Sequence, residues 1–357
     1  MRGLVAVMRI VALAGALGAC TASPIVTGFT GAGGRSAVGI AGDSGGTGAG
    51  GGGGIGAVRT IPAPAPSSGC GTAPSQSLEQ YARFTLTVPG VAANATDRLY
   101  YVRLPAGYDA SKPYRTIYLG PGCGPAQDKI PTMLKVYPME QVTGAEVILV
   151  AMEPGFYNKA EYNLGCTGDV CHYCFDDGAA AITPDSVEYA YFDALHKVVE
   201  ASYCVDTNRQ FFEGYSSGGW LAQELGCQFP DVLRVQGSVT GGLPPVIRDG
   251  VKTCVDHPIA AFLIHDFNDK SNPYAGSVAA LERLLALNKC TGGTTMASAP
   301  KAAYRIAFVP NTATFSCQQY TGCPVDYPIV FCTSTDQAHG SQAQYAIPGF
   351  WDFFKGF

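Results

Sequence analysis

Charged side chains are scarce in this chain of 357 residues: Asp, Glu, Lys and Arg make up 14% of it, and the formal net charge is −5. A chain with so few cations has no dense positive surface, so we expect neither nucleic acid nor an anionic membrane surface as a partner. The apolar run near the N-terminus extends only from Ile10 to Ala19, which is too short to cross a bilayer. Histidine is also rare, with five in the chain, which leaves few candidates for a general base.

The N-terminus has the order of an export signal. Arg2 and Arg9 precede the apolar run, and Leu17-Gly18-Ala19-Cys20 ends it. This quartet resembles a bacterial lipobox, in which the cysteine is lipidated and becomes the mature N-terminus, so Cys20 is a candidate lipidation site. An ordinary secretory signal cut nearby is the alternative. We therefore predict a signal over residues 1–20 and a lipid anchor as the only membrane contact.

Cysteine, in contrast, is abundant, with thirteen in the chain. Besides Cys20 there are twelve: Cys70, Cys123, Cys166, Cys171, Cys174, Cys204, Cys227, Cys254, Cys290, Cys317, Cys323 and Cys332. An even number in an exported protein predicts up to six disulfides, whose pairing the sequence leaves open. Zinc is the alternative for the cluster Cys166-x4-Cys171-His172-x-Cys174. Its spacing lacks the paired C-x-x-C of common zinc sites, so disulfides are favoured and no metal is expected.

Composition divides the rest of the chain into two parts. Residues 21–68 are mostly Gly, Ala, Ser and Thr, and Ile61-Pro62-Ala63-Pro64-Ala65-Pro66 alternates proline with other residues. Glycine-rich segments are flexible and proline-rich ones are stiffer, so this part predicts a linker. Residues 69–357 are long enough to bury a core, and their length suits one α/β domain.

Apolar periodicity within that domain predicts a sheet. Phe84–Val88 and Leu99–Leu104 form the pattern of an antiparallel pair. Later runs show little polar alternation, which is typical of central strands covered on both faces. These runs are Thr116–Leu119, Val147–Met152, Gln210–Glu213, Val235–Val239, Ile259–Ile264, Tyr304–Val309 and Ile329–Cys332. A helical pattern from Asp185, its N-cap, to Tyr203 lies among them. A hairpin followed by β-α alternation predicts an α/β fold with a mostly parallel, doubly wound sheet.

The pentapeptide Gly214-Tyr215-Ser216-Ser217-Gly218 is a G-x-S-x-G motif between a β-prone run and a helix-prone run. A serine on a strained strand-to-helix turn needs a glycine on each side, because a Cβ there would clash, and the strain exposes the serine Oγ. Ser216 is therefore the candidate nucleophile, and the N–H of Ser217 is a candidate oxyanion donor. A tight turn that merely needs small residues is the alternative.

A serine nucleophile needs a base and an orienting carboxylate. In α/β-hydrolases the chain order is serine, acid, histidine, which leaves His257, His265 and His339. His339 lies in the loop after the last apolar run, so it is the candidate base, with a surface-loop histidine as the alternative. The loop after the preceding strand offers Asp269, which lies further beyond the strand end, and Asp266 as the second choice.

The loop after the first parallel strand, from Gly120 to Pro125, is where a second oxyanion donor is expected. The N–H of Cys123 is the candidate, because Pro121 and Pro125 have none. Three further residues, Tyr215, Gly241 and Gly242, are candidates for the acyl pocket, although Tyr215 also fits a core aromatic.

Taken together, these motifs resemble exported α/β-hydrolases of the polyhydroxybutyrate depolymerase and feruloyl esterase-like family. The resemblance spans about Phe84 to Phe354. The matching motifs are Gly122-Cys123-Gly124, Asp185-Ser186-Val187, Cys204-Val205-Asp206-x-x-Arg209, Gly214-Tyr215-Ser216-Ser217-Gly218-Gly219 and His265-x-x-x-Asp269-x-x-x-Pro273-Tyr274. The resemblance implies a serine carboxylester hydrolase without a cofactor, and its H-x-x-x-D pattern implies Asp269 as the acid. The chain departs from the family at Pro121, where a histidine is usual. Cysteines adjacent to Ser216 and His339, which mark a tannase-like arrangement, are also missing.

Three functions remain open at this stage. Feruloyl-type esters, soluble or linked to polysaccharide, are the first expectation, and hydroxyalkanoate polyesters are the second. Only residues 340–357 follow His339, so we expect no C-terminal domain for adsorption to a solid polymer. The third is a non-catalytic tethered binding protein on a hydrolase scaffold. The family's usual histidine is replaced by Pro121. Our hypothesis is that a disulfide at Cys123 holds the oxyanion loop in position instead of that histidine.

Overall fold

The computed structural model describes residues 59–90, 97–124, 130–156, 173–175, 187–244, 247 and 254–357. Several sequence-based predictions lie outside these residues. They concern the export signal with Cys20, most of the linker, the helix cap Asp185, and the cysteines Cys166 and Cys171.

The described strands and helices alternate along much of the chain. The strands are β1 Tyr81–Thr87, β2 Asp97–Arg103, β3 Tyr114–Gly120, β4 Val147–Met152, β5 Gly155–Phe156, β6 Tyr173–Cys174, β7 Val205–Tyr215, β8 Leu233–Val239, β9 Ala260–Asp266, β10 Lys301–Tyr304, β11 Phe315–Tyr320 and β12 Ile329–Ser334. The helices are α1 Ile130–Val136, α2 Glu140–Thr143, α3 Val187–Ser202, α4 Ser217–Gln228, α5 Tyr274–Leu287 and α6 Ala343–Phe354.

One large sheet has the strand order β1-β2-β4-β3-β7-β8-β9-β12-β11-β10. Its centre, from β4 to β12, is parallel. Antiparallel strands flank it: β1 and β2 on one side, β11 and β10 on the other. The predicted opening hairpin and the mostly parallel sheet are both confirmed. The carboxyl ends of the parallel strands meet at one edge, which is where such folds build their sites.

Each face of the sheet has its own core. Side chains alternate between the faces along a strand, so Phe211 and Phe212 belong to different cores. Helices α3 and α5 cover one face, and α6 covers the other with Phe350 and Phe354. The sheet is therefore doubly wound. None of the helices among the described residues is both long enough and apolar enough to cross a membrane.

The last part of the sheet differs from the prediction. The run Tyr304–Val309 is not a strand: β10 ends at Tyr304, and Ile306 and Val309 form an isolated bridge around Phe308, whose φ is +66°. Strand β11 was not predicted, because its buried residues alternate with exposed polar ones and no continuous apolar run marks it. Both differences lie in the antiparallel flank of the sheet, outside its parallel centre. Strand β11 buries only some of its residues there, and β10 is mostly exposed.

Residues 59–68 also differ from the expectation of a free linker. Arg59 donates to the Gly356 carbonyl at 2.9 Å, and the Ala65 N–H donates to Asp206 Oδ1 at 3.0 Å. The proline segment between them has few N–H groups, but its carbonyls accept hydrogen bonds, as Pro62 does from Arg209 at 2.8 Å. This stretch is held along the amino end of β7.

Five disulfides link described cysteines: Cys70–Cys204, Cys123–Cys174, Cys227–Cys254, Cys290–Cys323 and Cys317–Cys332. The predicted disulfide framework is confirmed for these cysteines. Cys174, a member of the cluster for which zinc was the alternative, is bonded to Cys123 in the loop after β3. Cys317 and Cys332 are direct partners across β11 and β12.

A buried carboxyl in β7 makes stability depend on pH. Burial raises the pKa of Glu213 to about 8 from an ordinary value of 4.5, and Tyr137 lowers it only in part. The stabilising contribution of such a group is complete below its unfolded pKa and is lost as the pH rises through 8. We expect Glu213→Gln to raise the free energy of unfolding at pH 8 by several kcal/mol relative to the wild type, up to about 4 kcal/mol.

Denaturant unfolding of wild type and variant at pH 5 and pH 8 measures this effect. The control is Glu146→Gln, because it makes the same chemical change in a side chain that is 61% exposed. Parallel loss of stability in the wild type and Glu213→Gln over this interval would contradict the prediction.

Candidate active site

The turn between β7 and α4 carries Ser216 with φ of +56° and ψ of −116°, a backbone conformation that residues with a side chain rarely adopt. Neighbouring backbones approach closely there. A Cβ on Gly214 would lie 2.2 Å from the Gly218 carbonyl oxygen, and a Cβ on Gly218 would lie 2.1 Å from the Gly120 oxygen. No larger residue fits at either position without displacing backbone. The turn therefore requires a glycine on each side of the serine, as the sequence predicts.

Three predicted site residues meet at the carboxyl edge of the sheet. Ser216 Oγ lies 3.0 Å from Nε2 of His339, in the loop after β12. Nδ1 of the same ring lies 2.8 Å from Oδ2 of Asp269, in the loop after β9. These are hydrogen-bond distances between a hydroxyl, an imidazole and a carboxylate in the order that nucleophilic catalysis requires.

The carboxylate of Asp269 is buried and accepts several hydrogen bonds. Oδ1 accepts the N–H groups of Ser271 and Asn272, both at 2.9 Å. Oδ2 faces His339 at 2.8 Å and His265 at 3.3 Å. Burial alone would raise the pKa of Asp269, but the hydrogen bonds from His265, His339 and Asn272 outweigh it and hold the pKa well below its usual range. Asp269 is therefore ionised at neutral pH.

Asp266, the second choice for the acid, makes a different set of contacts. Its carboxylate accepts hydrogen bonds from the Ser334 hydroxyl at 2.6 Å, the Gln337 N–H at 2.8 Å and the Asn268 N–H at 2.7 Å. These bonds join the end of β9 to the loop that carries His339. Asp266 thus supports that loop, while Asp269 contacts the imidazole.

The predicted pocket residues have packing roles. The Tyr215 hydroxyl donates to the His339 backbone carbonyl at 2.5 Å, and the two rings lie 5.6 Å apart, so this phenol supports the histidine loop. A Cβ on Gly241 would lie 2.4 Å from Ser238 Oγ, and a Cβ on Gly242 would lie 2.9 Å from the Trp220 ring. Close packing therefore requires both glycines, and their contact with an acyl group remains a prediction.

The loop after β3 lies directly against the nucleophile turn. The Pro121 carbonyl accepts the Gly218 N–H at 3.1 Å and the Ser217 hydroxyl at 3.3 Å. A Cβ on Gly122 would lie 2.9 Å from the Cβ of Ser216. The Ser217 N–H belongs to the first turn of α4, where N–H groups have no partner within the helix. The loop also carries Cys123, so both predicted oxyanion donors belong to segments that adjoin Ser216.

Sequence reasoning missed the contacts of His265. This side chain is fully buried, and it was set aside as a base because it precedes the final loop. Its only sequence signal was the spacing of His265 and Asp269 in the H-x-x-x-D pattern.

The sheet order, the strained serine turn and the serine–histidine–carboxylate contacts define the class of protein as a hydrolase of the α/β-hydrolase fold. An acetyl xylan esterase from Aspergillus awamori has this fold: its structure aligns with a TM-score of 0.52 at 11% identity, covering 75% of this chain and 99% of that one. No protein-family model matches the chain.

Sequence relatives are more specific about the chemistry. Feruloyl esterase D of Neurospora crassa is 24% identical over 311 residues, which cover 84% of this chain and 94% of the relative. A probable feruloyl esterase C of Aspergillus terreus is 26% identical over 231 residues, which cover 64% of this chain and 71% of the relative. The fold and these relatives support a carboxylic ester hydrolase similar to feruloyl esterases.

The contact between Tyr215 and His339 predicts a loss of turnover without a change in acyl preference. Tyr215→Phe keeps the ring but removes the hydrogen bond that holds the histidine carbonyl. We expect kcat for short acyl esters to fall about three- to tenfold, with KM nearly unchanged. Steady-state kinetics on two esters with different acyl groups measures both parameters.

The control is Tyr203→Phe, which removes the 2.6 Å hydrogen bond to Gln76 at the amino end of β7. A change in KM or in acyl preference for Tyr215→Phe, with kcat preserved, would mean that the phenol lines the acyl pocket instead.

Proposed function

We propose that this protein is a serine carboxylester hydrolase that cleaves feruloyl-type esters through an acyl-enzyme. The observation that carries the proposal is the pair of distances at His339: 3.0 Å from its Nε2 to Ser216 Oγ and 2.8 Å from its Nδ1 to Asp269 Oδ2. The relatives named as feruloyl esterases supply the choice of ester.

In the first half-reaction Ser216 Oγ attacks the ester carbonyl, and His339 takes the hydroxyl proton. The same imidazole then gives that proton to the leaving alcohol. Asp269 keeps Nδ1 protonated and stabilises the imidazolium. In the second half-reaction His339 deprotonates a water molecule that attacks the acyl-enzyme, which restores the Ser216 hydroxyl and releases the acid.

Negative charge develops on the ester oxygen in both half-reactions. We assign its stabilisation to the backbone N–H groups of Ser217 and Cys123. The hydrogen bond from the Gly218 N–H to the Pro121 carbonyl holds the two segments together on one side. The disulfide from Cys123 to Cys174 holds the loop on the other side. In our proposal this bridge replaces the support that the family's histidine gives at the position of Pro121.

Two other functions are less well supported. The first is a depolymerase of hydroxyalkanoate polyesters. It has less support because the sequence relatives reported above are named as feruloyl esterases. A binding protein would not require a buried, ionised Asp269 that is hydrogen-bonded to His339.

Export with lipidation at Cys20 is also part of the proposal. The five disulfides support export, because such bonds persist in oxidising compartments.

Methyl ferulate turnover together with fluorophosphonate labelling tests the proposed reaction. We expect the wild type to hydrolyse methyl ferulate faster than hydroxybutyrate oligomers and to be labelled at Ser216. Ser216→Ala should lose both labelling and nearly all turnover, at least about a thousandfold, because no other group replaces the nucleophile.

Ser316→Ala is the matched control, since Ser316 is an exposed serine in β11 far along the chain from the nucleophile turn. Full turnover by Ser216→Ala would exclude the mechanism. Preference for the oligomers would move the assignment to a polyester depolymerase, and a folded wild type that resists the probe would favour the binding protein.

Loss of the Cys123–Cys174 bridge should slow catalysis although the catalytic side chains are unchanged. The double variant Cys123→Ser, Cys174→Ser keeps the N–H of residue 123 but frees its loop. We expect kcat to fall roughly tenfold or more, because a displaced oxyanion donor is worth less in the transition state. Comparison of kcat and of thermal unfolding for the same samples measures the effect.

Cys290→Ser, Cys323→Ser is the control, since that bridge spans 33 residues against 51 for the other and so removes a similar constraint from the unfolded chain. Equal kcat values for the two double variants would refute a specific role for the Cys123 bridge.

A further inference from the structure

A second histidine contacts the carboxylate behind the proposed base. His265 lies near the end of β9 and is fully buried. Its Nε2 is 2.8 Å from the Asn272 carbonyl oxygen and 3.3 Å from Oδ2 of Asp269. Its Nδ1 is 2.6 Å from Oγ of Ser277, in the first turn of α5. The reaction sequence above makes no use of this ring.

The surroundings of Nε2 determine its protonation. A backbone carbonyl has no proton to give, and the carboxylate of Asp269 is ionised. Both neighbours are therefore acceptors. Nε2 must carry a hydrogen, because an unprotonated Nε2 would face two oxygen acceptors, at 2.8 Å and 3.3 Å, with no donor between them in a buried site.

The surroundings of Nδ1 depend on a single hydroxyl proton. Ser277 Oγ lies 3.0 Å from the Gly241 carbonyl oxygen as well as 2.6 Å from His265 Nδ1. When Ser277 donates to Gly241, Nδ1 must donate to Ser277, and both ring nitrogens are then protonated. A neutral ring would direct the Ser277 proton to Nδ1 and leave two oxygens facing each other. Among the described residues, no other group donates to the Gly241 carbonyl.

The other titratable groups around the ring agree with a cation. Asp269 supplies the negative charge in contact with it. The ring of Tyr274, in α5, meets His265 edge to face at 5.8 Å, and burial raises the pKa of this phenol to about 12, so it is neutral. The Asp266 carboxylate is engaged by Ser334 and Gln337. The neighbour of His265 in β12 is Thr333, which has no charge.

We propose that His265 is a positioning residue whose two ring nitrogens both carry hydrogens in the folded protein, so that Asp269 is shared between this imidazolium and the base His339. The role in catalysis rests on the proposed function; the protonation state does not. A carboxylate beside a base favours the protonated form of that base. Because His265 offsets part of the charge on Asp269, the carboxylate favours the protonated form of His339 less strongly than an unshared carboxylate would.

The first test is nitrogen NMR of the full chain carrying Ser216→Ala and ¹⁵N-labelled histidine. We expect one ring, recognised by its contacts with the Ser277 side-chain protons, to show hydrogens on both nitrogens at pH 7. A single protonated nitrogen on that ring at pH 7 would overturn the proposal. This measurement needs no turnover, so its failure is distinct from failure of the proposed function.

The second test is the pH profile of kcat/KM on methyl ferulate. In His265→Gln the offsetting charge is gone, so we expect the acidic limb to move up by about one pH unit. Ser277→Ala, which keeps His265 but removes the acceptor of its Nδ1–H, should move the limb in the same direction by a smaller amount. Ser277→Ala also keeps the prediction testable if His265→Gln does not fold.

His257→Gln is the matched control, because this histidine lies before the amino end of the same strand, where its Nδ1 donates to the Pro258 carbonyl at 2.8 Å and its ring packs edge to face on Tyr327. Its profile should coincide with that of the wild type. A fall in kcat/KM for His265→Gln with the acidic limb unmoved would indicate a purely structural role and would overturn the proposal.

Discussion

The arrangement of this site depends on the buried carboxylate of Asp269. A buried charge is costly unless hydrogen bonds and an opposite charge satisfy it. Its donors come from three segments: its own loop at Ser271 and Asn272, strand β9 at His265, and the loop after β12 at His339. Because all of them must be in place at once, the carboxylate fixes the distance between those segments. The position of His339 relative to Ser216 follows from it.

A steric constraint acts on the opposite side of the nucleophile. Gly218 approaches the Gly120 carbonyl so closely that the start of α4 is pressed against the end of β3. Pro121 has no N–H, yet its carbonyl accepts the Gly218 N–H, so the proline does not prevent the loop from joining the helix. The chain therefore holds the loop after β3, the proposed oxyanion segment, through backbone contact and a disulfide, where the resembling family usually has a histidine.

Topology explains why the residues meet. Strands β3, β7, β9 and β12 are parallel, so their carboxyl ends lie at one edge of the sheet, and each is followed by a loop that contributes to the site. Residues 59–68 form hydrogen bonds with Asp206 and Thr207 at the amino end of β7. These contacts lie at the end of β7 opposite to Ser216.

Short-range sequence patterns were enough to predict most of the central strands and the serine turn. Strand runs buried on both faces are visible as apolar segments, and a serine between two glycines at a strand-to-helix boundary marks a strained turn. The order of serine, acid and histidine then selected His339. Predictions failed where local pattern is weak: β11 alternates polar and buried residues, and Tyr304–Val309 is apolar but forms a turn.

By itself, then, the sequence determined the fold class, the serine turn and the choice of a histidine in the last loop, because each rests on neighbouring residues or chain order. The sequence favoured Asp269 over Asp266, but only the tertiary structure shows their different contacts: Asp269 with the imidazole, and Asp266, at the end of β9, with Ser334 and Gln337. The tertiary structure also decided the pairing of the described cysteines, the contact of Tyr215 with the histidine loop and the contacts of His265. All of these depend on segments that are distant in sequence, and the packing of the sheet and helices alone brings such segments together.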